Sequence, residues 1–148
     1  MIVIDTSILI DSLFEKDKER NKEATEFLRS IEGLTVIIPK ILLIELVSVT
    51  RRLGIGITTR DLEDLVTDFE AMPEVSLFNE ALKVAEKRHS RAVDSYFIDV
   101  AKLSGAFLVS SDKRMVDEGK EYGIQAYYLP SEFREALKAT QELKRGSR

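Results

Sequence analysis

Four acids stand where ordinary surface charge explains them poorly: Asp5, Glu45, Asp94 and Asp112. Glu45 is the sharpest case. It interrupts "ILLIELVSV", residues 41–49, in which every other position but Ser48 is Ile, Leu or Val. A carboxylate in apolar surroundings is penalised by lost hydration unless a cation or a proton meets it. No Lys or Arg lies three or four positions away on the same helix, so the partner has to come from elsewhere. Asp5 ends "MIVID", Asp112 ends "FLVSSD" and Asp94 opens "DSYFIDVAKL". Taken singly, each of these three is a serviceable helix N-cap. Taken with Glu45 they form a set of oxygen donors that would repel one another until a divalent cation neutralised them.

The chemistry of such a cation is narrowly bounded. The chain has no cysteine and a single histidine, His89, which removes thiolate sites and paired-imidazole catalysis and leaves carboxylates, the donors suited to Mg²⁺ or Mn²⁺. One or two such ions would lower the pKa of a bound water, orient it toward a phosphodiester and offset charge in the transition state. With 22 Lys and Arg against 26 Asp and Glu, net charge is −4, and setting the four acids aside leaves the remainder neutral.

Helical spacing sorts the neighbouring acids. Asp94 shares a face with Ile98 and Ala101 and points inward, whereas Asp99 falls with Ser95 and Lys102 on what reads as a solvated stripe, which gives it an auxiliary or structural role. Asp117, in "DKRMVDEGKE", reads as solvated and as an auxiliary candidate. Thr6 and Ser111 can offer hydroxyls to a ligand carboxylate, water or phosphate, or can cap helices. Lys87, Arg88, His89 and Arg91 precede Asp94, and Lys113 and Arg114 follow Asp112. Arg88, Arg91, Lys113 and Arg114 are therefore candidate phosphate contacts, with cations favoured at helix ends as the plain alternative.

These residues need elements to position them. The sequence predicts strands at residues 2–4, 35–38, 75–78, 106–109 and 125–129. Helices are expected after Asp5, at 18–31, at 41–53, from Thr58 or Thr59 to Met72, at 79–88, at 92–104, from Asp112 to Tyr122 and from Ser131. The alternation predicts an α/β three-layer α/β/α sandwich with a mostly parallel five-stranded sheet. In such sheets ligands collect beyond the carboxyl ends of the strands, where strand order reverses, and Asp5 and Asp112 sit at two such ends. Length and 44% hydrophobic content suit one domain over residues 1–148, with about 142–148 a frayed basic tail. "MIVIDTS" lacks the features of a secretory signal, and no apolar run reaches membrane length, so a cytoplasmic protein is expected. Leu43, Val47, Leu62, Leu65, Val66 and Phe69 exceed what one core of this size is expected to bury, and any surplus suits a self-complementary dimer.

Asp5 in "VIDTSILID", Glu45 six residues after Pro39, Asp94 in "AVDSYFIDVAKLSGA" and Asp112 in "FLVSSDKRM" together resemble the PIN-domain family, specifically its VapC-like toxin ribonucleases, over essentially the whole chain. The resemblance implies a parallel-sheet sandwich, Mg²⁺- or Mn²⁺-dependent cleavage of single-stranded RNA, a homodimer and inhibition by a small antitoxin protein. The sequence departs from the family pattern in carrying Lys113 and Arg114 where a second acid often follows Asp112, and Asp99 where relatives place a small apolar residue. Rival readings are a PIN nuclease in housekeeping RNA processing, a non-catalytic PIN-like interaction module, and a receiver-like Mg²⁺-binding phosphoacceptor domain. The last wants paired acids after the first strand, where "VIDTS" supplies one.

Overall fold

Strands and helices succeed one another along the chain because short apolar runs such as Ile2–Ile4 and Phe107–Ser110 are followed by stretches with helical periodicity. The computed structural model describes residues 1–146. Its strands are β1 (Ile2–Ile4), β2 (Ile37–Pro39), β3 (Glu70–Met72), β4 (Phe107–Ser110) and β5 (Ala126–Tyr128). Its helices are α1 (Thr6–Phe14), α2 (Lys18–Ser30), α3 (Leu42–Arg52), α4 (Thr59–Leu65), α5 (Glu74–Arg88), α6 (Ala92–Ser104), α7 (Lys113–Tyr122) and α8 (Leu129–Gly146). α8 carries a kink at Glu132. Residues 142–146 of the expected frayed tail continue α8, while Ser147 and Arg148 lie outside the described residues.

All strand pairs are parallel. The expected five-stranded sheet is instead a three-stranded sheet, β1-β4-β5, beside a two-stranded one, β2-β3. They meet at a single bridge, Ile2 to Val36, with the Ile2 N–H donating to the Thr35 carbonyl at 3.0 Å. The chain runs β1, β2, β3 to one side and then β4, β5 to the other, so order reverses between β1 and β4. That is the position at which an open α/β sheet forms its ligand crevice.

The expected strand at 75–78 is the second departure. Those residues belong to α5, and the strand is Glu70–Met72. Pro73 takes the N-cap position with extended φ and ψ, which a proline tolerates at a helix start. Leu77, Ala81 and Val84 then recur at helical spacing and are buried, so the 3.6-residue period prevails over the β-branched look of "VSLF". The helix expected from Thr58 accordingly ends early, at Leu65.

α1 packs on α2 and α2 on α8, which reaches β4 and β5. α6 contacts β1, β2 and β4 and packs with α5 and α7. The helices thus cover the strands in two groups. Phe27 from one and Phe97 from the other are the largest fully buried side chains, each contributing about 1.5–3 kcal/mol relative to exposure. The anticipated apolar surplus is mostly absorbed: Leu62 is fully buried, and Leu43, Val47, Val66 and Phe69 pack against the core. Of the anticipated surplus Leu65 remains exposed, and the other exposed apolar side chains include Ile44 on α3 and Val75, Phe78 and Leu82 along α5. Among the described residues no helix is long and apolar enough to cross a membrane.

Candidate active site

At the carboxyl end of β1, Asp5 occupies the N-cap position of α1 but makes no capping bond. Its Oδ1 accepts from the Ser7 hydroxyl at 2.6 Å. The Ser7 oxygen in turn accepts the Ser111 N–H at 2.9 Å and lies 3.5 Å from the Ser110 hydroxyl, which accepts the Asp112 N–H at 2.8 Å. The ends of β1 and β4 are therefore laced together by two serines absent from the sequence-based candidate list. Their signal was present: "DTS" and "SSD" put each within two residues of a candidate acid. Asp5 is buried, and burial pushes its carboxyl up to about 7 against the opposing Ser7 hydrogen bond, with Glu45 adding repulsion.

Glu45, in the first turn of α3, is half-buried and accepts from the Thr6 hydroxyl. Thr6 thus contacts a candidate ligand carboxylate rather than capping α1. Asp94 sits in the first turn of α6 and is buried. Asp112 caps α7, its Oδ1 accepting the N–H groups of Arg114 at 3.0 Å and Met115 at 3.3 Å, which leaves Oδ2 for another partner. That partner is Arg91. Its Nε donates to Asp94 Oδ2 at 2.8 Å and its Nη2 donates to Asp112 Oδ2. Arg91, expected as a phosphate contact, here joins two of the acids. Burial raises the Asp94 carboxyl, and the Arg91 pairing works against that rise.

All four acids line one cavity of about 320 Å³, together with Thr6, Ser7, Arg91 and three further charged residues that the sequence analysis did not single out: Asp11, Glu15 and Arg20. Asp11 lies four residues beyond Ser7, one turn along the same face of α1, and that spacing was its signal. The remaining candidates lie outside the lining. Asp117 pairs with Lys113 at 2.7 Å, Arg114 with Glu118 at 2.7 Å and Arg88 with Glu121 at 2.8 Å. The Ser111 hydroxyl is buried without a hydrogen-bond partner among the described residues.

Asp99 corrects the helical-face reading. It is fully buried, and among the described residues neither carboxylate oxygen has a hydrogen-bond partner. α5 covers the stripe that Asp99 was expected to share with solvent, because the α5–α6 hairpin packs closely. Burial lifts its carboxyl to about 7, with Glu80 adding repulsion and Lys83 opposing it.

A family model described as PIN domain matches residues 2–120. The chain belongs to the PIN-domain family. No curated protein matches this PIN domain, but solved structures share its fold. PAE2754 from Pyrobaculum aerophilum aligns over 93% of this chain and 96% of its own, at 18% identity and a TM-score of 0.61. A toxin-antitoxin complex from Klebsiella pneumoniae covers 76% of this chain and 87% of that one, at 16% identity and a TM-score of 0.60. FitAcB from Neisseria gonorrhoeae covers 86% and 96%, at 13% identity and a TM-score of 0.52. At these identities the likeness concerns the fold.

Among the described residues, no three His, Asp or Glu side chains are drawn together tightly enough to hold an ion. Arg91 supplies positive charge to Asp94 and Asp112 in that arrangement. Replacing it with Ala is expected to lower thermal stability in EDTA by about 1–2 kcal/mol, since exposed cations contribute modestly but here leave a buried acid unpaired. Added Mg²⁺ should recover most of that loss. A melting temperature in EDTA equal to wild type would mean that the bridge does not form in solution.

Proposed function

We propose that this PIN domain is a Mg²⁺- or Mn²⁺-dependent endoribonuclease that hydrolyses phosphodiester bonds of single-stranded RNA, and that it is the toxin of a toxin-antitoxin pair. The observation that carries this reading is the lining of one cavity, at the strand-order reversal, by Asp5, Glu45, Asp94 and Asp112 from four separate parts of the chain. Family membership supports a nuclease, and likeness in fold to a toxin-antitoxin complex supports the toxin role.

The donor set suits a hard divalent cation. It is all oxygen, and the buried Asp5 has a hydroxyl partner but no cation partner among the described residues. Asp5, Glu45, Asp94 and Asp112 would hold the metal, which supplies an activated water and charge neutralisation at the phosphate. Thr6 orients Glu45 and Ser7 orients Asp5 through their hydroxyl donations. Arg91 would exchange its two carboxylates for substrate phosphate when metal is bound, in line with its sequence-based assignment.

A small antitoxin would act on the same acids. The guanidinium of Arg91 between Asp94 and Asp112 illustrates the contact an antitoxin Arg or Lys would compete for, so inhibition should weaken as Mg²⁺ rises. A homodimer would cover apolar side chains such as Val75, Phe78 and Leu82.

The deciding experiment incubates labelled single-stranded RNA with the protein in Mg²⁺, in Mn²⁺ and in EDTA. Internal cleavage in the first two and none in the third is expected. In parallel, either ion should raise the melting temperature by mass action, and the rise should vanish in the Asp5→Asn, Asp94→Asn double variant. Cleavage that persists in EDTA overturns the metal mechanism. Metal-dependent stabilisation without cleavage of any RNA favours a non-catalytic module.

A further inference from the structure

We infer that Arg20 is a second phosphate-binding residue of the acid-lined cavity, holding a non-scissile phosphate of the RNA strand whose neighbour reacts among Asp5, Glu45, Asp94 and Asp112; the inference rests on the nuclease reading above.

Among the described residues, the cations that line the cavity are Arg20 and Arg91. Arg91 is committed through Nε and Nη2 to Asp94 and Asp112. Arg20 is committed differently. Its Nε donates to Asp11 Oδ2 at 2.7 Å and lies 3.9 Å from a Glu15 oxygen. Its two η nitrogens make no hydrogen bond among the described residues. A guanidinium carries five N–H donors, so four of them remain for a ligand. The side chain is 39% exposed while that of Asp11 is 4% exposed, so the carboxylate is an internal anchor and the guanidinium is the accessible part.

The anchor is held firmly. Asp17 caps α2 by accepting the N–H groups of Glu19 and Arg20, both at 3.0 Å, which fixes the Arg20 backbone. Asn21, the next residue, donates its amide to the carbonyls of Asp11 and Ser12, both at 2.9 Å, which ties the start of α2 to the end of α1. Packing therefore aims Arg20 before any ligand arrives, the condition under which a planar fork binds a phosphate with little loss of side-chain freedom.

Position separates the two sites. Asp11 lies six residues beyond Asp5 along α1, about 9 Å at 1.5 Å per residue. A cation at that remove meets a different phosphate of an extended strand from the one at the acids. It also suits a cavity lined by Asp5, Asp11, Glu15, Glu45, Asp94 and Asp112 to a polyanion: bound metal would offset the four site acids, and Arg20 adds a further positive charge.

The test uses a short single-stranded RNA that wild type cleaves at one bond, and a panel in which one phosphate at a time is replaced by an uncharged methylphosphonate. With wild type, neutralising one non-scissile phosphate should lower kcat/KM by about 10- to 100-fold, the usual range for a charge-assisted hydrogen bond. Arg20→Ala should lower kcat/KM on unmodified RNA by a similar factor, mainly through KM, and should be indifferent to the methylphosphonate at that one position. Arg20→Lys, which keeps charge but loses the fork, should fall between. Because Arg20→Ala leaves buried Asp11 unpaired, the Asp11→Asn, Arg20→Ala double variant is measured beside it and should show the same indifference. Equal sensitivity of wild type and both Ala variants at every phosphate overturns the Arg20 inference and leaves the nuclease standing. Failure of wild type to cleave any RNA overturns both.

Discussion

Asp5→Asn is expected to reduce Mg²⁺-dependent RNA cleavage by about 10²–10³-fold or more, the scale on which a removed electrostatic stabiliser is felt, while making the metal-free protein more stable at neutral pH. The opposed signs come from one cause. Asp5 is buried beside Glu45 with hydroxyl partners but no cation, and its carboxyl is held up to about 7. In the folded protein without metal, charge at this position is unfavourable. With metal it is what binds the ion. Asn keeps the shape and the Ser7 contact but abolishes the charge, so folding gains and metal binding loses. Glu45→Gln, Asp94→Asn and Asp112→Asn should show activity losses of the same order. Their stability changes should differ: Asp112 also caps α7 and, with Asp94, neutralises Arg91, so neither variant should gain as Asp5→Asn does. Cleavage assays with denaturation in EDTA check both halves. An Asp5→Asn protein with wild-type activity removes Asp5 from the site.

Asp99 supplies the second large effect, and it concerns folding. The groups bearing on it are Glu80 and Lys83 from α5 and Tyr122 from α7, whose hydroxyl donates to Glu80 at 2.6 Å and is pushed up to about 12 by burial and by that bond. None satisfies the Asp99 oxygens by hydrogen bonding. Its carboxyl titrates near 7 when folded and at the ordinary carboxylate value of 3.8 when unfolded. Between those values the folded chain holds a proton that the unfolded chain has lost, so stability is full below about pH 4, falls as pH rises toward 7 and levels off above. A separation of about three pKa units corresponds to ~4 kcal/mol as an upper order of magnitude. Asp99→Asn should therefore stabilise the protein by up to that amount at pH 8 and by little at pH 4. Asp5 contributes a slope of the same sign, so the Asp5→Asn, Asp99→Asn double variant should be the flattest across this range. Urea unfolding at a series of pH values checks it. A gain from Asp99→Asn that is the same at pH 4 and pH 8 would show that the carboxylate charge is not its source.

The acids of the cavity were legible because their oddity is local. Glu45 stands in an apolar run, and Asp5 and Asp112 follow short apolar runs at strand ends. Neither observation requires knowing what lies across the molecule. The α/β alternation was legible for the same reason, since period and caps are properties of neighbouring residues. Strand β3 was not, because "VSLF" satisfies both periods over four residues, and Leu77, Ala81 and Val84 must find a common buried face before the helix is distinguishable.

What the tertiary structure decided is which polar groups meet. Helical spacing assigned Asp94 correctly to an inward face, but it called Asp99 solvated because it cannot know that α5 lies over that stripe. Arg91 was legible as a cation near the acids. Its placement between Asp94 and Asp112 depends on α6 and β4 delivering both carboxylates to one side of it. Arg20 and Asp11, nine residues apart on different helices, are joined by the packing of α2 on α1 and bear no mutual mark in the sequence. Local periodicity determines what faces inward along one element, and Coulomb and hydrogen-bond partners are chosen by the neighbour that arrives from elsewhere, which only the folded chain brings.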